Sequence, residues 1–362
     1  MHSFEAPKGS CVVVALSGGV DSSVTAYILK NQGYKLIGLF MKNWEEEANG
    51  FCPAEKDFQD VVQVCTQLDI PYYSVNFSKE YWDSVFQESL DLFRLGYTPN
   101  PDVLCNKEIK FKTLFQKARE LGGEYLATGH YCQHLLEGHQ HFLGKGIDQS
   151  KDQSYFLHAM PYSALKYTLF PLGGLKKTEV KKLAEELGFV TASKKESMGI
   201  CFIGKRKFKP FLQTYLTCQK GDFQTLEGKT LGEHDGVSFY TIGQRKGLGI
   251  GGPGEAWYVV EKDISKNIIY VAQGDQHPAL YKKTIIAKEI EWLGESMPTF
   301  PFECQAKIRY RQTESNCTLH AHSDSSISVE FEEEQRAVTP YQSIVFYKDS
   351  LCLGGGVIAE NS

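Results

Sequence analysis

The chain has 362 residues, of which 42% are hydrophobic and 23% charged, the balance of a globular protein of two or three domains and not of a disordered or coiled-coil chain. Its 39 basic and 44 acidic residues leave a net charge of -5, which excludes a basic coat over the whole surface but not a local basic face. No run of about 18 apolar residues is present, so no membrane span is expected.

Cys11–Leu16 is a short valine-rich run and reads as a buried strand. Ser17-Gly18-Gly19 breaks it, and Val20, Val24 and Ile28 then repeat at helical spacing. Leu36–Met41 predicts the next strand, and Phe58, Val61, Val62, Cys65 and Leu68 the next helix. Tyr72–Val75, Trp82–Phe93, Ile109–Leu121 and Tyr125–Thr128 continue the alternation. Such alternation implies an α/β fold with a parallel sheet covered on both faces, and ligands at its C-terminal strand ends. Val180, Leu183, Ala184 and Leu187 mark a further helix, with Thr178 as expected N-cap and Gly188 as its stop. After Pro210 short β-rich runs dominate: Val237–Tyr240, Trp257–Val260, Ile268–Ala272, Ile285–Ile290, Ile327–Phe331 and Ser343–Tyr347. The expected units are a catalytic domain over 1–205, a small β-rich domain over 206–278 and a C-terminal β-barrel over 279–362.

Ten cysteines are present and no two form a C-x-x-C pair, so a zinc ribbon or thioredoxin-type motif has no support. The first residues lack an apolar leader and the first arginine is Arg94, so a cytoplasmic location is expected, where thiols stay reduced. Cys11, Cys65, Cys132, Cys218, Cys304, Cys317 and Cys352 read as small core residues. Cys105 and Cys201 differ. Cys105 follows Asn100, Pro101 and Asp102, a proline-fixed loop in which one helical turn would set Asp102 beside the thiol. Asp102 suits a proton acceptor, while Lys107 and the helix start would favour the thiolate. Cys201 follows Lys194-Lys195 in a glycine-flanked stretch that suits a moving sulfur carrier.

Ala15-Leu16-Ser17-Gly18-Gly19-Val20-Asp21-Ser22-Ser23 lies between strand and helix, where glycines and free amides attract an anion. It lacks the Walker lysine. The segment resembles the loop of N-type ATP pyrophosphatases, which split ATP between its α and β phosphates and adenylate a substrate oxygen. That resemblance implies ATP contacts along Ala15–Ser22, Mg²⁺ held through Asp21, Met41 near the adenine and Gly129 lining the nucleotide pocket.

N-P-D-V-L-C-N-K-E-I-K-F, Gly199-Ile200-Cys201-Phe202-Ile203-Gly204 and Gly243–Gly252 narrow the resemblance to the tRNA-specific 2-thiouridylases. It runs from about residue 11 to about 358 and includes Lys151–Phe156, Ile308–Gln312 and Leu353–Gly356. It implies that the wobble uridine exchanges its 2-oxygen for sulfur, with Cys105 as nucleophile and Cys201 carrying a persulfide. Asn100, Pro101 and Asp102 would meet the target base. His130, Lys151, Asp152, Gln153, Arg309, Tyr310 and Gln342 would contact tRNA. A sulfur-carrier protein would supply the persulfide, and a monomer is expected. A rival version makes Asp102, Cys105 and Cys201 ligands of an iron–sulfur cluster. It ranks lower, because such clusters usually take four cysteines. Other readings are an amide-forming or lysidine-type ATP pyrophosphatase, and an RNA-binding protein with a relic loop.

The chain departs from the family pattern twice. Tyr341 stands where the pattern has glycine, so if φ is positive there the backbone is strained and the Gln342 contact is altered. Met198 stands where a hydroxyl residue is usual. A stripe over 171–210 offers Lys176, Lys177, Lys181, Lys182, Lys194, Lys195, Lys205, Arg206, Lys207 and Lys209 against four glutamates, enough for a phosphate-binding face.

Overall fold

The computed structural model describes residues 1–44, 53–194 and 208–360. Five parallel strands form the first sheet: β1 (Cys11–Leu16), β2 (Lys35–Lys42), β3 (Tyr72–Asn76), β4 (Tyr125–Ala127) and β5 (Thr168–Leu169), in the order β3-β2-β1-β4-β5. β1 is central because it can afford no solvent: Val12, Val13 and Val14 are fully buried. Each such valine contributes roughly 1.5–3 kcal/mol of burial. Helices α1 (Val20–Asn31) and α2 (Pro53–Leu68) pack beside the sheet and frame the loop that leaves β1.

The segment expected as one helix from Ile109 starts earlier. Pro101–Leu104 is α-helical, Cys105–Leu114 is wound as a wider π-helix, and Phe115–Glu120 returns to α. A second π turn, Trp82–Phe86, interrupts the helix expected over Trp82–Phe93. π segments are rare and concentrate at functional sites. The later helix, Lys177–Glu186, starts before Thr178. Its N-cap is Lys176, whose amide donates to Glu179 Oε2 at 2.7 Å.

Residues 221–273 contribute a four-stranded sheet. Val237–Phe239, expected as a strand, is a single 3₁₀ turn following Gly236 at φ +127°. The last domain is a closed six-stranded barrel, Leu351–Ile358, Tyr281–Trp292, Ile327–Arg336, Ser315–Ala321, Phe302–Lys307 and Ser343–Lys348, the last strand pairing back to the first. The hairpin Cys132–Glu137 and Gln140–Lys145, which the hydrophobic pattern does not announce, extends this barrel sheet through Leu351↔Gly144. The sheet therefore ties the nucleotide-type domain to the barrel. Among the described residues no helix is long and apolar enough to cross a membrane.

Candidate functional site

The loop after β1 is shaped by glycine. Gly18 has φ +71°, and a Cβ there would lie 2.5 Å from the Asp57 carbonyl oxygen of α2. No other residue fits that approach without displacing backbone. No side chain caps α1. Its first amides are therefore left to meet an anion. Ser22 Oγ accepts from the Ser17 amide at 3.2 Å and donates to Gly19 O at 3.1 Å, which closes the loop on itself.

Asp21 faces a cation that the sequence reading had placed on an RNA-binding stripe. Lys177 Nζ lies 2.6 and 2.7 Å from the two Asp21 oxygens, and the Tyr131 hydroxyl donates to Oδ1 at 2.7 Å. Lys177 is only 6% exposed. A lysine from a distant helix thus stands beside the loop. Helical spacing alone could not show it, because the signal is one lysine at the buried N-terminus of an amphipathic helix. Lys194 closes the other side: its ammonium donates to Gly18 O at 2.8 Å, and to Asp57 and Asp60 at 2.6 Å each. Burial alone would lower the Lys194 pKa, but the two carboxylates raise it.

The expected nucleotide residues gather at one edge. Register puts Leu16 opposite Phe40, so Met41 follows at the C-terminal end of β2. Gly129 lies just beyond β4, against α1, where a Cβ would meet Asp21 C and Ser22 N at 3.0 Å. His130 Nδ1 is 2.8 Å from Thr128 Oγ1, and burial holds its pKa well below the ordinary histidine value.

The second constellation begins at Asn100, whose side chain caps the Pro101–Leu104 turn by accepting from the Val103 amide at 3.4 Å. Asp102 is half-buried, and Cys105 is 1% exposed at the entry to the π segment. Lys107, expected to favour the thiolate, pairs instead with Glu291 of the barrel at 2.8 Å. Asn106, which the sequence reading passed over, donates to Phe156 O at 3.0 Å and joins this helix to the Lys151–Phe156 segment. Its buried Oδ1 has no partner among the described residues. Cys201 and Met198 lie outside the described residues, so the expected approach of Cys201 to Cys105 does too.

The residues expected at tRNA are half-buried, apart from Pro101 and Asp152, which are buried. Asp152 is buried, accepting from Gly146 and Ser154, and Gln153 accepts from the Tyr131 amide at 3.0 Å. These two side chains fix the loop, and Lys151 is the cation beside them. The Tyr310 ring is tilted against Phe156 with centroids 4.4 Å apart, and the Arg311 guanidinium lies 5.3 Å from the Tyr310 ring centroid. Arg309 donates to Ala337 O and, at 3.4 Å, to Ile242 O, tying the barrel to the middle domain. Gln342 donates to the carbonyls of Thr98 and Pro99. The lysine stripe is not a single free face among the described residues. Lys177 and Lys194 turn inward, Lys209 pairs with Asp235, and Lys195, Lys205, Arg206 and Lys207 lie outside them. Cys65, Cys132, Cys304, Cys317 and Cys352 are buried as expected, and burial pushes the Cys65 and Cys352 thiols up to about 12.

Comparison with known proteins gives consistent matches along the chain. A family model described as the tRNA methyl transferase HUP domain matches residues 10–205. A tRNA methyl transferase PRC-barrel domain matches 209–273, and an aminomethyltransferase beta-barrel domain 282–358. The tRNA-specific 2-thiouridylase MnmA of Halalkalibacterium halodurans is 54% identical over 353 residues, covering 97% of this chain and 95% of that protein. That of Protochlamydia amoebophila is 54% identical over 351 residues, covering 96% and 93%. Among solved structures, the U34-tRNA thiolase NcsA from Methanococcus maripaludis, with its [4Fe-4S] cluster, aligns with a TM-score of 0.37 at 21% identity, over 58% of this chain and 66% of that one. The identity over nearly the whole length of these relatives carries the assignment: the chain belongs to the tRNA-specific 2-thiouridylase MnmA family.

Proposed function

We propose that this protein is a sulfurtransferase that replaces the 2-oxygen of the tRNA wobble uridine with sulfur at the expense of ATP. One observation carries the chemical reading. A strand-end phosphate loop, with Asp21 held between Lys177 and Tyr131, shares the domain with an Asn100-capped turn that presents Asp102 and leads into buried Cys105. An adenylating site and a thiol site are what thiolation requires. An amide-forming ATP pyrophosphatase would need only the first.

The steps follow from these parts. ATP lies along Ser17–Ser22, its phosphates on the amides of α1 and toward Lys177. The uridine 2-oxygen attacks the α-phosphorus and pyrophosphate leaves. Asp102 takes up or returns the proton at the base. The outer sulfur of a Cys201 persulfide attacks C2, and AMP leaves. The Cys105 thiolate then attacks the inner sulfur, freeing the thiocarbonyl and leaving a Cys105–Cys201 disulfide. In a second branch Cys105 attacks the persulfide first and hydrosulfide reacts at C2. Both branches end in the same disulfide, and a two-electron dithiol resets it. A sulfur-carrier protein reloads Cys201. Asp21 and the phosphates themselves are hard oxygen donors that would hold Mg²⁺, which would offset the charge of the phosphates.

The test is nucleoside mass spectrometry of unmodified tRNA after incubation with the protein, Mg·ATP and a persulfide donor. One sulfur gained for one oxygen at the wobble uridine is expected, and is lost in Cys105→Ser and in Cys201→Ser. AMP release without sulfur gain would return the chain to a different ATP pyrophosphatase. Iron and sulfide found after anaerobic purification, with activity tracking iron, would replace the persulfide route by the cluster.

A further inference from the structure

Residues 96–99 lead directly into the Asn100 cap, and each is held by one or other of the β domains, Thr98 by both. Lys262 Nζ of the middle domain donates to Gly96 O at 2.6 Å. The Tyr97 ring lies against Tyr341 of the barrel, with centroids 4.3 Å apart and planes inclined by 38°, and the Tyr97 hydroxyl donates to Glu360. Thr98 Oγ1 is 3.1 Å from Thr241 Oγ1 of the middle domain. Gln342 Nε2 donates to Thr98 O and reaches Pro99 O at 3.3 Å. A primary amide carries two hydrogens, so one Gln342 side chain serves both carbonyls.

Tyr341 achieves its contact in a backbone conformation that tyrosine disfavours, φ +63°. Its amide is anchored to Ile358 O at 2.9 Å, which fixes the turn and aims the ring at Tyr97. Glycine would relieve the backbone and abolish the ring contact. The Gly96 and Tyr97 amides are held by Phe93 O and Leu92 O of the preceding helix, both at 2.9 Å, but the strap has no regular secondary structure of its own, so from Tyr97 onward these external contacts set its path.

We propose that Tyr341 and Gln342 are positioning residues: from the barrel they hold the 96–99 strap, and through it the turn that carries Asp102 and leads into Cys105. This assignment rests on the reading of Asp102 and Cys105 given above. It also gives Gln342 a role other than direct RNA contact, since its donors are already used within the protein.

The experiment compares Gln342→Ala, Tyr341→Gly and Tyr341→Phe in the full-length chain. Three quantities are read: the single-turnover thiolation rate at saturating tRNA and ATP, the tRNA Kd, and the melting curve. Gln342→Ala and Tyr341→Gly should slow the reaction about ten- to a hundredfold, the scale of a small misplacement of reacting groups. Their tRNA Kd should stay within about twofold, because a positioning contact acts after binding. Tyr341→Phe keeps the ring and should restore the wild-type rate. Gln342→Ala with weakened tRNA binding and a normal saturated rate would overturn the proposal in favour of an RNA contact. Tyr341→Gly at the wild-type rate would overturn it for the ring. Should Gln342→Ala melt early, the Tyr341 pair decides, since glycine suits this φ. Cys105→Ser separates the two levels. If it is fully active, the site reading fails. If it is dead while the strap variants are normal, only the positioning role fails.

Discussion

Gly18→Ala tests the construction of the phosphate loop, and Gly33→Ala supplies its control. Both positions have left-handed backbones, φ +71° and +84°, and they flank the same helix. A Cβ at Gly33 meets nothing within 4 Å, whereas at Gly18 it meets Asp57 O at 2.5 Å, Cα at 2.9 Å and C at 3.0 Å. The conformational penalty common to both is about 1–2 kcal/mol. Only Gly18 adds overpacking against backbone, about 1–3 kcal/mol. Gly18→Ala should therefore cost about 2–5 kcal/mol and the control about 1–2 kcal/mol. The displaced loop also carries the Gly18 carbonyl held by Lys194, so Mg·ATP affinity should fall in Gly18→Ala and stay normal in Gly33→Ala. Urea denaturation of the two variants with and without Mg·ATP reads both effects. Equal destabilisation, or equal nucleotide-induced stabilisation, would refute the argument that α2 closes directly over this loop.

The ion pair beneath the loop should respond asymmetrically. The Lys177 side chain is 8% exposed and that of Asp21 32%, so Asp21→Asn takes a carboxylate from a buried ammonium, whereas Lys177→Met leaves a carboxylate that water can reach. The first should cost more than the second, which should cost about 1 kcal/mol in urea titrations of the nucleotide-free protein, although both weaken ATP binding measured by equilibrium dialysis. A second expectation concerns acid. Burial pushes His134 and His158 down to about 4. The unfolded chain binds these protons near the ordinary value of about 6.5, so it holds more protons than the folded chain between the two values. Stability should therefore be complete above about 6.5 and fall as pH drops toward 4, by about 2 kcal/mol per histidine from pH 7 to 5. Urea midpoints at the two pH values check it, and a pH dependence unchanged in His134→Gln would remove that residue from the account.

The parts of the site legible in the sequence were those in which one short segment contains its own physics. Cys11–Ser22 is a strand, a glycine turn and a helix start in succession, and the structure puts the turn at the C-terminal strand end that alternation requires. Tyr341 was singled out by its departure from the family pattern, where glycine stands at this position, and φ there is +63°. Val237–Phe239 misled because a β-branched and aromatic triplet suits a strand, yet Gly236 turns the chain into a tight helical turn before it can pair. The Cys132–Lys145 hairpin was hidden for the opposite reason: its partner, Leu351–Ile358, lies more than two hundred residues away in sequence, beyond the reach of any window.

What remained illegible is the set of contacts that give the motifs their environment. Asp21 was recognisable, but its partner Lys177 is 156 residues distant and looked like one member of a basic stripe. Asp152 was placed at tRNA by the resemblance alone, and no sequence pattern shows that its carboxylate accepts from Gly146 and Ser154. Residue type reports what a side chain can do, whereas burial and partner decide whether it is still free to do it. The same division bears on the β domains. The Asn100 turn is capped by its own Asn100 side chain, and the Gly96 and Tyr97 amides are held by the helix before them, but Thr241, Lys262, Tyr341 and Gln342 grip the strap from outside. On the positioning role proposed above, a fragment ending after the parallel-sheet domain should keep the phosphate loop while losing the alignment of the thiol site.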